Sequence, residues 1–195
     1  MAISVQKGSV KTSSYTVSGD TLADIWAAIQ KNGPKYRGAS RAGMTTCKVN
    51  MNSSSSKIDF TTEEGSNGFE SEAKMTKGAL TYNCAIKAPQ LKSDKGLSDD
   101  AKKEWARFMK ELIAHENDHV TEFGKEATDI GKEIEDLTAN GKGADKKKAE
   151  QDARAQYTKV FTKQYSVAEI DKRLKARSDK LDAGGHGPTL DTSIQ

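Results

Sequence analysis

The chain has 195 residues, with 31 Lys or Arg against 28 Asp or Glu and a formal net charge of +3. That near balance argues against a nucleic-acid partner, because such proteins gather basic residues on one face with aromatics between them. A hydrophobic content of 34% beside 30% charged residues allows one substantial domain or two small ones with a modest core, and no apolar run reaches the 18 residues a membrane helix needs.

Residues 1–18 are rich in Ser, Thr and Val and read as extended. Met1–Lys7 lacks the apolar core of a signal peptide. A short helix follows, with Asp20 as its expected N-cap, Leu22, Ile25, Trp26 and Ile29 as its apolar face, and Gly33-Pro34 as its stop. The period then changes to two. Cys47, Val49 and Met51 alternate, as do Ile58 and Phe60, and then Leu80, Tyr82, Cys84 and Ile86. Turn residues at 52–56 and 64–68 separate these runs, so antiparallel strands are expected. Cys47 and Cys84 share no C-x-x-C spacing, which leaves a single disulfide or two buried thiols as the alternatives.

Pro89 and the polar residues up to Gly96 read as a hinge. Ser98 is expected to cap a long helix, with Asp99 and Asp100 complementing its positive end. The apolar stripe of that helix runs Trp105, Phe108, Leu112, His115, His119, Phe123, Ile130, Ile134 and Leu137, and Asn140-Gly141 ends it. A second helical pattern spans about 144–181, with a break near Ser166. A short link between two such helices favours an antiparallel pair. Lys146, Lys147 and Lys148 lie among acidic residues and read as a solvated helix surface. Gly184-Gly185-His186-Gly187-Pro188 leads into a loose tail. The expected fold is α+β: a small antiparallel sheet with one short helix over 1–97, then a long antiparallel helical hairpin over 98–195, together forming one compact unit.

Two of the three histidines fall in His115-Glu116-Asn117-Asp118-His119. Histidines four apart on a helix share one face, so both rings can grip one Zn2+, and the intervening Glu116 can accept a proton from a water on the metal. A catalytic zinc needs a third protein ligand. Lys125 stands where an extended metzincin motif requires histidine. Glu122, Glu126, Glu133 and Glu135 lie along the same helical rod and fit a ligand poorly. His186, in a glycine-rich turn, is the better candidate if the second helix runs back along the first. Asp118 is a candidate for orienting a histidine, and Tyr157 and Tyr165 are candidates for donating to a developing oxyanion, although packing roles suit both.

The stretch Tyr15-Thr16-Val17-Ser18-Gly19-Asp20-Thr21 before the helix to Ile29, the Trp105–Leu112 lead into His115-Glu116-x-x-His119, and the late His186-Gly187 resemble a family of secreted bacterial zinc-dependent proteases catalogued as domain of unknown function 922. The resemblance implies an N-terminal α+β portion packed on a helical portion that bears the metal site. It also implies peptidase activity on protein or peptide substrates, and roles for His115, Glu116, His119 and His186. A secreted or periplasmic location follows from the resemblance, with cytoplasmic residence or signal-independent export as the alternatives. The functional alternatives are a metal-stabilised binding module without turnover, and a delivered toxin or effector protease with a specific target.

Overall fold

The computed structural model describes residues 3–52, 55–184 and 187–194. The elements run β1 (Ile3–Val17), α1 (Leu22–Asn32), β2 (Lys35–Tyr36), β3 (Ala39–Ser40), β4 (Met44–Met51), β5 (Lys57–Gly65), β6 (Gly68–Leu91), α2 (Asp99–Asp136), β7 (Thr138–Gly143), α3 (Lys146–Gln164) and α4 (Val167–Gly184). The class is α+β, as expected, but the sheet is larger than expected and mixed. Its five strands centre on β6, which pairs with β1, β4, β5 and β7.

Register shows why the sheet is mixed. Ser4 bonds to Gly78, Ser9 to Asn83, Ser13 to Ile86 and Ser14 to Gln90, so partners advance together along β1 and β6. These two strands are parallel, which corrects the all-antiparallel expectation. The other pairs are antiparallel: Gly65 faces Gly68 across the β5–β6 hairpin, and Phe69 to Lys74 face Gly143 back to Thr138. Pro89 lies inside β6 rather than in a hinge. The Cys47–Cys84 bridge and the Asn52 N–H···O=C Ala79 bond set the β4 register, which puts the first residue of β4, Met44, short of Pro89. A proline is tolerated where no ladder partner needs its N–H.

The chain forms two compact units interleaved in sequence, one of residues 1–8, 48–82 and 123–176, the other of residues 9–47, 83–122 and 177–195. In the first unit α2 ends at Asp136, and residues 138–143 form β7 instead of a helix terminus. The continuous helical hairpin is therefore corrected: α3 packs on β7, and it is α4 that runs back along α2. Gly141 and Gly143 make the α3 packing possible. A Cβ at either would collide with the α3 backbone at Ala153 or Ala149. Asp145 caps α3 by accepting from the Lys148 N–H, and Ser166 accepts from the Glu169 N–H at the break, where α4 begins. Arg173 of α4 grips Glu126 and Glu133 of α2.

The second unit carries the core that supports the histidine motif. Val17, Leu22, Ile25, Ile29, Ala88, Leu97, Phe108, Leu112 and Leu190 form one buried cluster. Burial of each large aliphatic side chain is worth about 1.5–3 kcal/mol. Trp26 meets Phe108 edge-on at 6.4 Å between ring centres. The cap of α1 is Thr21 rather than Asp20: its hydroxyl accepts from the Asp24 N–H. Ser98 does cap α2, accepting from the Ala101 N–H. The tail is docked and not loose. Leu190 is buried, the Asp191 N–H donates to Glu104, and Arg107 donates to the Thr189 carbonyl.

Candidate metal centre

His115 and His119 fall on the stripe that α2 turns inward, so a helix built to bury Phe108 and Leu112 also aims two imidazoles at one point. His119 is buried and His115 is half-buried. Their Nε2 atoms are 3.2 Å apart. Antiparallel α4 supplies a third atom: Asp182 Oδ1 lies 3.3 Å from His115 Nε2 and 3.1 Å from His119 Nε2. Two imidazoles and a carboxylate thus converge as a group that could hold a metal ion. The separations fit one. Bonds of about 2.0–2.1 Å to a tetrahedral zinc put neighbouring ligand atoms roughly 3.3 Å apart, against 3.1, 3.2 and 3.3 Å here.

Glu116, between the histidines, is also buried. Thr45 at the start of β4 donates to its Oε2 at 2.6 Å. Burial pushes the Glu116 carboxyl above its ordinary range, against the opposing pull of the Thr45 bond. Gly43 leaves room beside it: a Cβ there would displace Oε1 from this position. Burial also pushes the His119 pKa down, with Asp182 opposing, which favours the neutral ring that ligates metals. His119 Nδ1 lies 3.2 Å from the Ser178 hydroxyl of α4.

A cavity of about 430 Å³ opens onto these groups. Trp26, Tyr36, Leu112 and the continuous stretch 40–46 line it, together with His115, Glu116, His119, Ser178, Asp182 and the segment 187–189. The tip of the β2–β3 hairpin is fixed beside it, because Tyr36 donates to Asp179 at 2.5 Å and Arg37 pairs with the same carboxylate at 2.6 Å.

The structure thus brings together His115, Glu116 and His119 of the sequence-predicted residues. His186 lies outside the described residues; a Cβ on its neighbour Gly187 would sit 3.8 Å from the His115 ring. Glu122 faces Arg177, and Glu126 and Glu133 are held by Arg173. Tyr157 is buried and stacked on Phe161, and neither it nor Tyr165 lines the cavity. Sequence reasoning missed Asp182, Ser178, Thr45 and Gly43. For the first two a signal existed: Ile170, Leu174, Ser178 and Asp182 recur every four residues, so polar side chains occupy the inward stripe of α4.

The described residues contain no helix long and apolar enough to cross a membrane. The Cys47–Cys84 disulfide accords with an oxidising, extracytoplasmic compartment. Among known families, one described as a bacterial protein of unknown function, DUF922, matches residues 12–187. No curated protein and no solved structure matches the chain.

Proposed function

The chain belongs to the DUF922 family of bacterial proteins, and from that premise we propose that it is a zinc-dependent metallopeptidase that acts outside the cytoplasm on protein or peptide substrates. The observation that carries this reading is the convergence of His115 Nε2, His119 Nε2 and Asp182 Oδ1 at tetrahedral spacing beside the Glu116 carboxylate. Zinc held by those three atoms would act as a Lewis acid and bring the pKa of its water toward about 7.

The remaining work belongs to side chains of this protein. Thr45 holds Glu116 Oε2, which fixes the carboxylate and leaves Oε1, beside Gly43, to take the proton of the attacking water. Glu116 then delivers that proton to the leaving amine. Asp182 adds a carboxylate oxygen to the two imidazole nitrogens, a donor set that suits a divalent cation. The stretch 40–46 offers an unbroken length of chain along the cavity, a wall suited to an extended peptide.

A second reading of the ligand set has His186 in place of Asp182, and the position of Gly187 against His115 favours it. Zinc titration of the parent protein beside His115→Ala, Asp182→Ala and His186→Ala separates the two. The expected result is one zinc per chain for the parent, loss of at least about a hundredfold in affinity for His115→Ala and Asp182→Ala, and little change for His186→Ala. The reverse order of the last two makes His186 the third ligand. Failure of the parent to bind zinc would overturn the metal reading itself.

A further inference from the structure

We infer that Ser178 of α4 is a positioning residue for the metal centre, acting through His119; the inference rests on the metal reading above and deepens it. A histidine that ligates through Nε2 must carry its proton on Nδ1, and the partner of that Nδ1–H decides both tautomer and ring angle. In this chain Ser178 Oγ is 3.2 Å from His119 Nδ1, while Asp182 Oδ1 is 3.1 Å from Nε2 of the same ring. Ser178 and Asp182 are one helical turn apart, so a single face of α4 addresses both nitrogens of one imidazole.

Hydroxyls inside helices usually turn back to the carbonyl four residues earlier. Thr121, Thr128 and Thr158 each do so here, on Asn117, Gly124 and Arg154. Ser178 instead reaches across to α2. His119 is buried, so water is a poor substitute for that partner. With Nδ1–H donating to Ser178 Oγ, the Nε2 lone pair is left directed at the point shared with His115 Nε2 and Asp182 Oδ1. One turn of α4 thereby carries a ligand and the group that orients another ligand.

The test compares Ser178→Thr with Ser178→Val, two side chains of one shape that differ in the hydroxyl, and reads zinc affinity by chelator competition and metal-free Tm. The expected result is that Thr stays within about threefold of the parent, while Val loses roughly 10- to 100-fold in zinc affinity, the range for removing such a partner, with matching metal-free Tm values. Equal zinc affinity for Thr and Val, in a parent that binds zinc, overturns this inference and leaves the metal reading standing. A parent that binds no zinc overturns both.

Discussion

Thr45 is the side chain that holds Glu116 in place. Its hydroxyl is the donor to a carboxylate that sits buried between two histidines, and it lies within 3.1 Å of the Glu116 backbone carbonyl as well. A hydrogen bond to a charged group is worth about 1.5–3 kcal/mol, and a buried acceptor left without its donor bears the desolvation cost. Thr45→Val keeps the shape and removes the donor. Zinc affinity should hold within about twofold, because no ligand is touched. Peptide hydrolysis should fall about tenfold or more, since Glu116 would no longer be fixed in the orientation that takes the proton. Steady-state kinetics beside zinc titration check this; a hydrolysis rate equal to the parent's would show that Thr45 does not position Glu116.

At the scale of elements, the site is the meeting of two inward stripes. On α2 the sequence made the stripe legible, because His115 and His119 interrupt a run of Phe and Leu at helical spacing. On α4 the same device is written more quietly. Ser178 and Asp182 continue the phase of Ile170 and Leu174, but in a helix so polar that two more polar residues do not stand out. β7 was hidden for a different reason. Thr138-Ala139-Asn140-Gly141-Lys142-Gly143 carries the glycines of a helix end, yet Gly141 and Gly143 serve here to let α3 approach a strand. Tertiary packing thus overrode a local signal. The parallel pairing of β1 with β6 was equally unreadable, because alternation reports which face a residue takes and not the direction of its neighbour.

The docking of the tail on α2 also belongs to this scale, and it is pH-dependent. Arg107 and the Asp191 N–H hold the Glu104 carboxyl down to about 2, against an ordinary value of about 4.5. A depressed carboxylate contributes stability that is present above its unfolded pKa and is lost as pH falls through the folded one. Protection of the Asp191 amide from hydrogen exchange should therefore be constant at neutral pH and decline between about pH 4.5 and 2. Glu104→Gln should show weakened protection already at pH 7. Unchanged protection across that range would mean that the Glu104 carboxylate does not secure the tail, leaving Leu190 burial and the Arg107–Thr189 bond to hold it.

For the whole molecule, the Cys47–Cys84 disulfide is the covalent staple. Cys47 and Cys84 close a loop of 37 residues in sequence separation, for which the chain-entropy account gives about 4 kcal/mol of stabilisation. The double variant Cys47→Ser/Cys84→Ser should accordingly lose about 8–16 °C in Tm, read by calorimetry on metal-free protein. A loss under about 2 °C would contradict a structural role for the bridge. Since Cys47 lies two residues beyond Thr45 on β4, the bridge also fixes the strand that presents Thr45 to Glu116. An oxidising compartment would preserve that arrangement, and the bridge is consistent with an extracytoplasmic location.

The most direct test of the hydrolase reading is the rate at which zinc-loaded parent and zinc-loaded Glu116→Gln cleave an unfolded protein substrate. The parent is expected to cleave it, and the variant, still holding one zinc, is expected to be slower by a factor of about 10²–10⁴, the usual worth of a positioned general base. Equal rates, or no cleavage by a parent that holds its zinc, would contradict the reading and leave this fold a metal-stabilised binding module.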